Sequence, residues 1–180
     1  MSTTVSNWIR LTQRLLADLR QIDIGYPLGD NVIHSPAAPR NLESLTAGMP
    51  TGVRQQLKEF YGQCSGLSWP DVGNGLFIES SDRLLTNQER DEPNELLVRG
   101  SSKTAKILVL GTDGGGGRFC IDRVTGKIIH VVTGTLSANR LEAESNQVSI
   151  VAEDLNGFLS RLQADLRAFI NDDREHQYLA

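Results

Sequence analysis

Four consecutive glycines behind an aspartate, in the stretch GTDGGGGRFCID from Gly111 to Asp122, constrain this chain's fold more than any other feature. Glycine reaches positive φ without steric cost, so such a run marks either a sharp turn or a backbone cradle for an anion. The neighbours distinguish the two. A phosphate loop needs a strand before the glycines and a helix after them, so that the free N–H groups of the helix start face the anion. Here the apolar run KILVL (Lys106 to Leu110) comes first, and RFCID (Arg118 to Asp122) and KIIHVV (Lys127 to Val132) follow. These read as three strands, the last two joined by the turn DRVTG. The run contains no GxGxxG and no Gly-Lys-Ser or Gly-Lys-Thr. The expectation is a turn between antiparallel strands. Gly111, Gly114, Gly115, Gly116 and Gly117 supply backbone freedom, and Asp113 bonds back onto the turn.

Helical periodicity brackets this centre. Val5, Trp8, Ile9, Leu15, Leu16 and Leu19, with Thr12 on the same face, predict an amphipathic helix. Val53, Leu57, Phe60, Tyr61 and Cys64 predict a second from Thr51 to Cys64, weakened by Gly62 and stopped by Gly66. Leu155, Phe158, Leu159, Leu162, Leu166, Phe169 and Ile170 mark a third, with Glu153 and Asp154 at its positive end. Gly25 to Asn41 carries two glycines and three prolines and reads as a connector. Leu76 to Ile78 and Val148 to Val151 are further strand candidates, and the polar stretch between Glu79 and Leu96 is expected to hold a short helical turn. The fold class is α+β: one domain with a mixed or mainly antiparallel central sheet, N-terminal helices and a C-terminal helix packed on it. Residues 1–41 form the N-terminal helix and connector, 42–170 the α+β domain, and 171–180 a polar tail expected to fray.

Three segments in this order resemble the SUKH superfamily, which includes yeast cell-wall-synthesis regulators and bacterial toxin-immunity proteins. The first is LKEFYGQCSGLSW (Leu57 to Trp69), a helix running through a tyrosine to a Ser-Gly turn. The second is the glycine run with Gly111, Thr112, Asp113, Gly114, Gly115 and Gly116, then Phe119, Thr125 and Gly126. The third is VAEDLNGFLSRL (Val151 to Leu162), with Ala152, Phe158 and Leu159 at matching places. The resemblance covers roughly Leu42 to Ile170, most of the chain. Ser65 stands where asparagine is common, and residues 1–41 lie outside the family pattern. The resemblance implies an α+β domain that binds another protein, often a nuclease or deaminase toxin, and blocks it. It carries over no catalytic residue.

Read directly, the residues offer little support for an enzyme. His34, His130 and His176 lack metal-ligand spacing. His130 lies within KIIHVV, opposite in face to Ile129 and Val131, and is expected to be a partly exposed strand residue. Cys64 and Cys120 have no activating neighbour in sequence and read as partly buried thiols of a reducing cytosol. Asp113 and Asp122 read either as a carboxylate pair for a divalent ion or as turn and strand-end residues. Ser65-Gly66 lacks the GxSxG frame. No cofactor or metal is expected.

Net charge −4 argues against nucleic-acid binding and against a polybasic membrane contact, and no apolar run approaches a bilayer span of roughly 20 residues. The resemblance implies that the partner is a protein, and the two cysteines, too few for a disulfide framework, are expected to sit in the cytoplasm. Glu79, Asp82, Glu89, Asp91, Glu92 and Glu95 outnumber Arg83 and Arg90 and form either a solvated charge run or a patch that steers a basic partner. Trp69 and Phe77 flank it as interface anchors or as core. Three functions stay open at this level: immunity against a cognate toxin, a regulatory scaffold in a larger assembly, and a small-ligand or nucleotide domain using the glycine turn.

Overall fold

The glycine run joins two central antiparallel strands. The computed structural model describes residues 4–36, 42–89, 92–101 and 104–179, the side chains at 87–89 excepted. In chain order the elements are α1 (Val5–Leu19), β1 (Val32–Ile33), α2 (Leu42–Leu45), α3 (Thr51–Tyr61), β2 (Leu67–Trp69), β3 (Leu76–Ile78), α4 (Ser81–Glu89), β4 (Glu95–Arg99), β5 (Thr104–Thr112), β6 (Arg118–Asp122), β7 (Ile128–Val131), β8 (Thr135–Ser137), β9 (Arg140–Glu144), β10 (Val148–Ala152) and α5 (Leu155–Ile170). The domain is α+β, and among the described residues every strand pairing is antiparallel except β4 with β9.

Strand β5 is the hub. Its residues from Ile107 onward pair with β6 on one side, which leads through β7 to β10. On the other side its beginning pairs with β4 and its end with β3. One branch continues through β2 to β1, the other through β9 to β8. The side chains alternate accordingly. Leu108, Leu110, Phe119, Ile121 and Ile128 enter the main core under the helices. Ile107, Cys120, Ile129 and Val131 enter a second, smaller core, to which β4 and β9 contribute Leu96, Leu141 and Ala143. Strand β7 is therefore covered on both faces. His130 does lie opposite Ile129 and Val131, but it is buried at 7% exposure rather than partly exposed, because the helical layer covers its face.

The N-terminal helix belongs to the core. Val5, Trp8, Thr12, Leu16 and Leu19 are buried, and the Trp8 indole N–H donates to the Leu159 carbonyl of α5. The second helix ends at Tyr61, not Cys64: Gly62 takes the cap, and Cys64 follows just outside, buried. Trp69 does not reach the surface as an interface anchor. It is fully buried and stacks near Trp8, ring centroids 6.4 Å apart, because β2 lies beneath α1. The C-terminal tail folds back on α5: Leu179 is buried and its N–H donates to Asp165.

Candidate functional site

The glycine turn is the most chemistry-like motif of the sequence. Its Asp113 side chain is buried and reaches in two directions. Oδ1 accepts the N–H groups of Gly115 at 2.9 Å and Gly117 at 2.7 Å. Oδ2 lies 2.9 Å from Nε2 of His130 on β7. The register places His130 directly opposite Phe119, whose ring stacks on the imidazole at 4.8 Å, and Phe119 in turn touches Phe158 of α5 at 5.1 Å. The carboxylate thus occupies the amides that an anion would need, and adds a negative charge where an anion would sit. The turn's glycines are required by close approach. A Cβ at Gly117 would overlap the Asp113 carboxylate, and one at Gly111 would overlap the Phe77 carbonyl of β3. Gly114 and Gly116 hold φ of 70° and 102°.

Asp122 does not join Asp113. It sits at the far end of β6, where Oδ1 accepts the N–H groups of Val124 (2.8 Å) and Thr125 (3.0 Å). The divalent-ion reading of that pair is replaced by two separate turn caps. Among the described residues no three His, Cys, Asp or Glu side chains converge as metal ligands. His34 is exposed, while His130 and His176 bond different aspartates. Both thiols are free and buried; burial pushes Cys64 up to about 11 and Cys120 up to about 12, so both stay protonated at neutral pH.

Two of the described members of the acidic run are paired with bases. Glu79 pairs with Arg83 at 3.3 Å and Glu95 with Arg140 at 3.0 Å. Asp82 is exposed in the first turn of α4. Glu92 is half-buried, with Oε2 sheltered and without a hydrogen bond beside a cavity of about 220 Å³ shared with Leu84, Ile107 and Arg123. The side chain of Glu89 and the whole of Asp91 and Arg90 lie outside the described residues. Glu95 instead belongs to a cross-strand row of mostly positive charge. It faces Lys106 on β5 and Arg140 on β9, and the Arg123 N–H bonds the Lys106 carbonyl beyond. The Arg123 guanidinium donates to the carbonyls of Leu45 and Ala47, and burial lowers its pKa. A count of charge along the chain treats neighbours in sequence as neighbours in space; strand pairing places bases between these acids.

Sequence reasoning missed the second buried Asp–His pair. Asp165 of α5 is 2% exposed; Oδ1 lies 2.7 Å from Nε2 of His176, and Oδ2 accepts the Leu179 N–H at 3.1 Å. Burial holds its carboxyl above the ordinary value, against the lowering effect of those bonds. The signal was present: Asp165 stands between Leu162 and Leu166 on the apolar stripe, where an ionisable residue needs a partner.

No protein-family model matches the chain, and no curated protein is significantly similar to it in sequence. No helix among the described residues is long and apolar enough to cross a membrane.

Proposed function

We propose that the chain is a non-enzymatic, SUKH-like protein-binding domain of the cytoplasm, whose task is immunity: it binds a cognate toxin and covers the toxin's active site. The observation that carries this reading is the convergence of the three resembling segments on one core. The glycine turn reaches α5 through Phe119 and Phe158. Helix α3 reaches the start of α5 through Gln56, which accepts the Leu155 N–H and donates to Asp154, each at 3.3 Å. Tyr61 donates its hydroxyl to the Glu79 carbonyl at 3.1 Å, which ties the end of α3 to the strand layer. Gly66 (φ 113°) follows, where a Cβ would overlap the Ile78 carbonyl. Tyr61, Gly66, Gly111, Asp113, Phe119 and Phe158, among the residues that carry the resemblance, thus have packing or hydrogen-bonding roles in the same scaffold. The aspartate and glycines are occupied in building it, which leaves the outer surface to recognition.

The test is affinity capture of the tagged full chain from its source cells, followed by reconstitution with the purified partner. The expected result is one stoichiometric partner with a toxin domain, whose toxicity disappears on co-expression. Several weaker housekeeping partners would replace immunity with the scaffold reading. Saturable stabilisation by a nucleotide that is lost in Gly115 or Gly116 variants would replace both with the ligand reading.

A further inference from the structure

The Asp165–His176 pair does more than hold the tail. It fixes residues 171–179 along the end of α5, opposite the connector that leaves α1. Between them lies a cavity of about 580 Å³, a size typical of binding pockets. The half-buried side chains of Ile22, Ile24, Phe169 and Ile170 line it, and Tyr26 and Tyr178 add two aromatic rings. Tyr26 is 53% exposed, a large apolar surface left open to water.

We infer that this groove receives a lysine- or arginine-bearing apolar segment of the protein partner. The inference rests on the protein-binding reading and names the surface that does the binding. The cavity and its aromatic rings make the site, and the charges select its occupant. Three carboxylates, Asp23, Asp172 and Asp173, line the groove against one guanidinium, Arg174, which is already paired with Asp172 at 3.3 Å. The excess is negative, so charge complementarity requires a cation. A cation over a tyrosine ring gains from the ring quadrupole, and its aliphatic stem packs on the isoleucines. The Tyr178 phenol reports the same field: burial, then the charges of Asp165, Asp173 and Asp172, hold its pKa above the usual value. A basic toxin surface, of the kind that grips phosphate backbones, presents such side chains.

The experiment uses the full chain labelled at isoleucine methyls, titrated with acetyl-Leu-Arg-Leu-Arg-amide and separately with acetyl-Leu-Glu-Leu-Glu-amide. The arginine peptide is expected to shift Ile22, Ile24 and Ile170 saturably, and the glutamate peptide to leave them unmoved. The triple variant Asp23→Asn, Asp172→Asn, Asp173→Asn, all at exposed positions, should weaken the arginine peptide by about tenfold. Equal response to both peptides, absence of saturable shifts at millimolar concentrations, or shifts confined to Ile129 and Ile150 would overturn the proposal. Failure here leaves the capture experiment free to succeed through another surface. Failure of capture leaves the peptide result readable on its own.

Discussion

Two buried Asp–His pairs, alike in chemistry, perform different work at the centre and at the rim of the fold. Asp113 and His130 meet at the sheet centre, with side chains 8% and 9% exposed, and the imidazole is stacked on Phe119. Asp165 and His176 meet at the rim, where the aspartate is 2% exposed but the histidine 24%. The central pair joins a turn to a strand inside the main core. The rim pair joins a helix to the last residues of the chain. The contrast teaches that what such a pair holds depends on how much structure each partner already shares with the other. At the centre, backbone hydrogen bonds and packing surround both members, and losing one member leaves a buried charge or ring unpaired. At the rim, losing the histidine frees a short segment that can open to water.

The largest effect should come from the turn that carries the central pair. Gly111→Ala places a methyl onto the Phe77 carbonyl of the adjacent strand, and backbone cannot yield as a side-chain tip can. The variant is expected to lose more than about 3 kcal/mol, enough to unfold a marginal domain. A urea midpoint within error of the wild type would show that β3 and β5 can separate there without cost. Next comes Asp113→Ala, which strips two glycine amides and His130 of their acceptor. Its expected cost is about 3 kcal/mol. Asp113→Asn keeps one oxygen for the amides and should recover part of that loss.

His176→Ala tests the other side of the comparison. The expected global loss is about 1 kcal/mol, the scale of one ordinary hydrogen bond, because the histidine side of the pair is partly wet. Its local signature is sharper. The Leu179 amide, protected by Asp165, should exchange with solvent much faster in the variant, while the amides of Gly115 and Gly117 keep their protection. A loss as large as that of Asp113→Ala, or an unchanged Leu179 exchange rate, would end the distinction between a central and a rim clasp.

The centre was the legible part of this protein. Glycines followed by two apolar runs exclude a helix at that point, and the antiparallel strands β5, β6 and β7 follow from it. The period of α1 and α5 was equally plain, because six or seven apolar residues at helical spacing outweigh a single polar one. Burial was harder to read. Alternation places His130 opposite Ile129 but does not say that α5 covers that face. Trp69 and Phe77 flank the same polar run in sequence, yet β2 lies under α1 and Trp69 is buried. Strands β4 and β9 were hidden for a different reason: each is short and rich in charge, and each becomes a strand by pairing with the other and with β5 or β8. The rim groove was the least legible of all, since it joins residues 22–26 to 169–178, segments brought together by the packing of α1 on α5 and by the bonds of Asp165 to His176 and Leu179. Asp165 on an apolar stripe was the one local hint.

The smallest expected effect separates distance from burial. Lys127 and Glu153 form an ion pair at 2.8 Å, slightly shorter than the 2.9 Å contact of Asp113 with His130. If contact distance determined the worth of an acid–base pair, Lys127→Ala should cost about as much as Asp113→Ala. The lysine and glutamate side chains, however, are 38% and 78% exposed. Water solvates both charges in the folded and unfolded chain alike, and holding two long side chains together costs entropy. The expected loss is below about 0.5 kcal/mol, and salt at about 1 M should erase it by screening. Because Asp113 and His130 lie behind the glycine turn and Phe119, the cost of Asp113→Ala should change little over the same salt range. Equal salt sensitivity in the two variants would mean that solvent reaches the central clasp, and that it behaves more like the exposed ion pair than its burial implies.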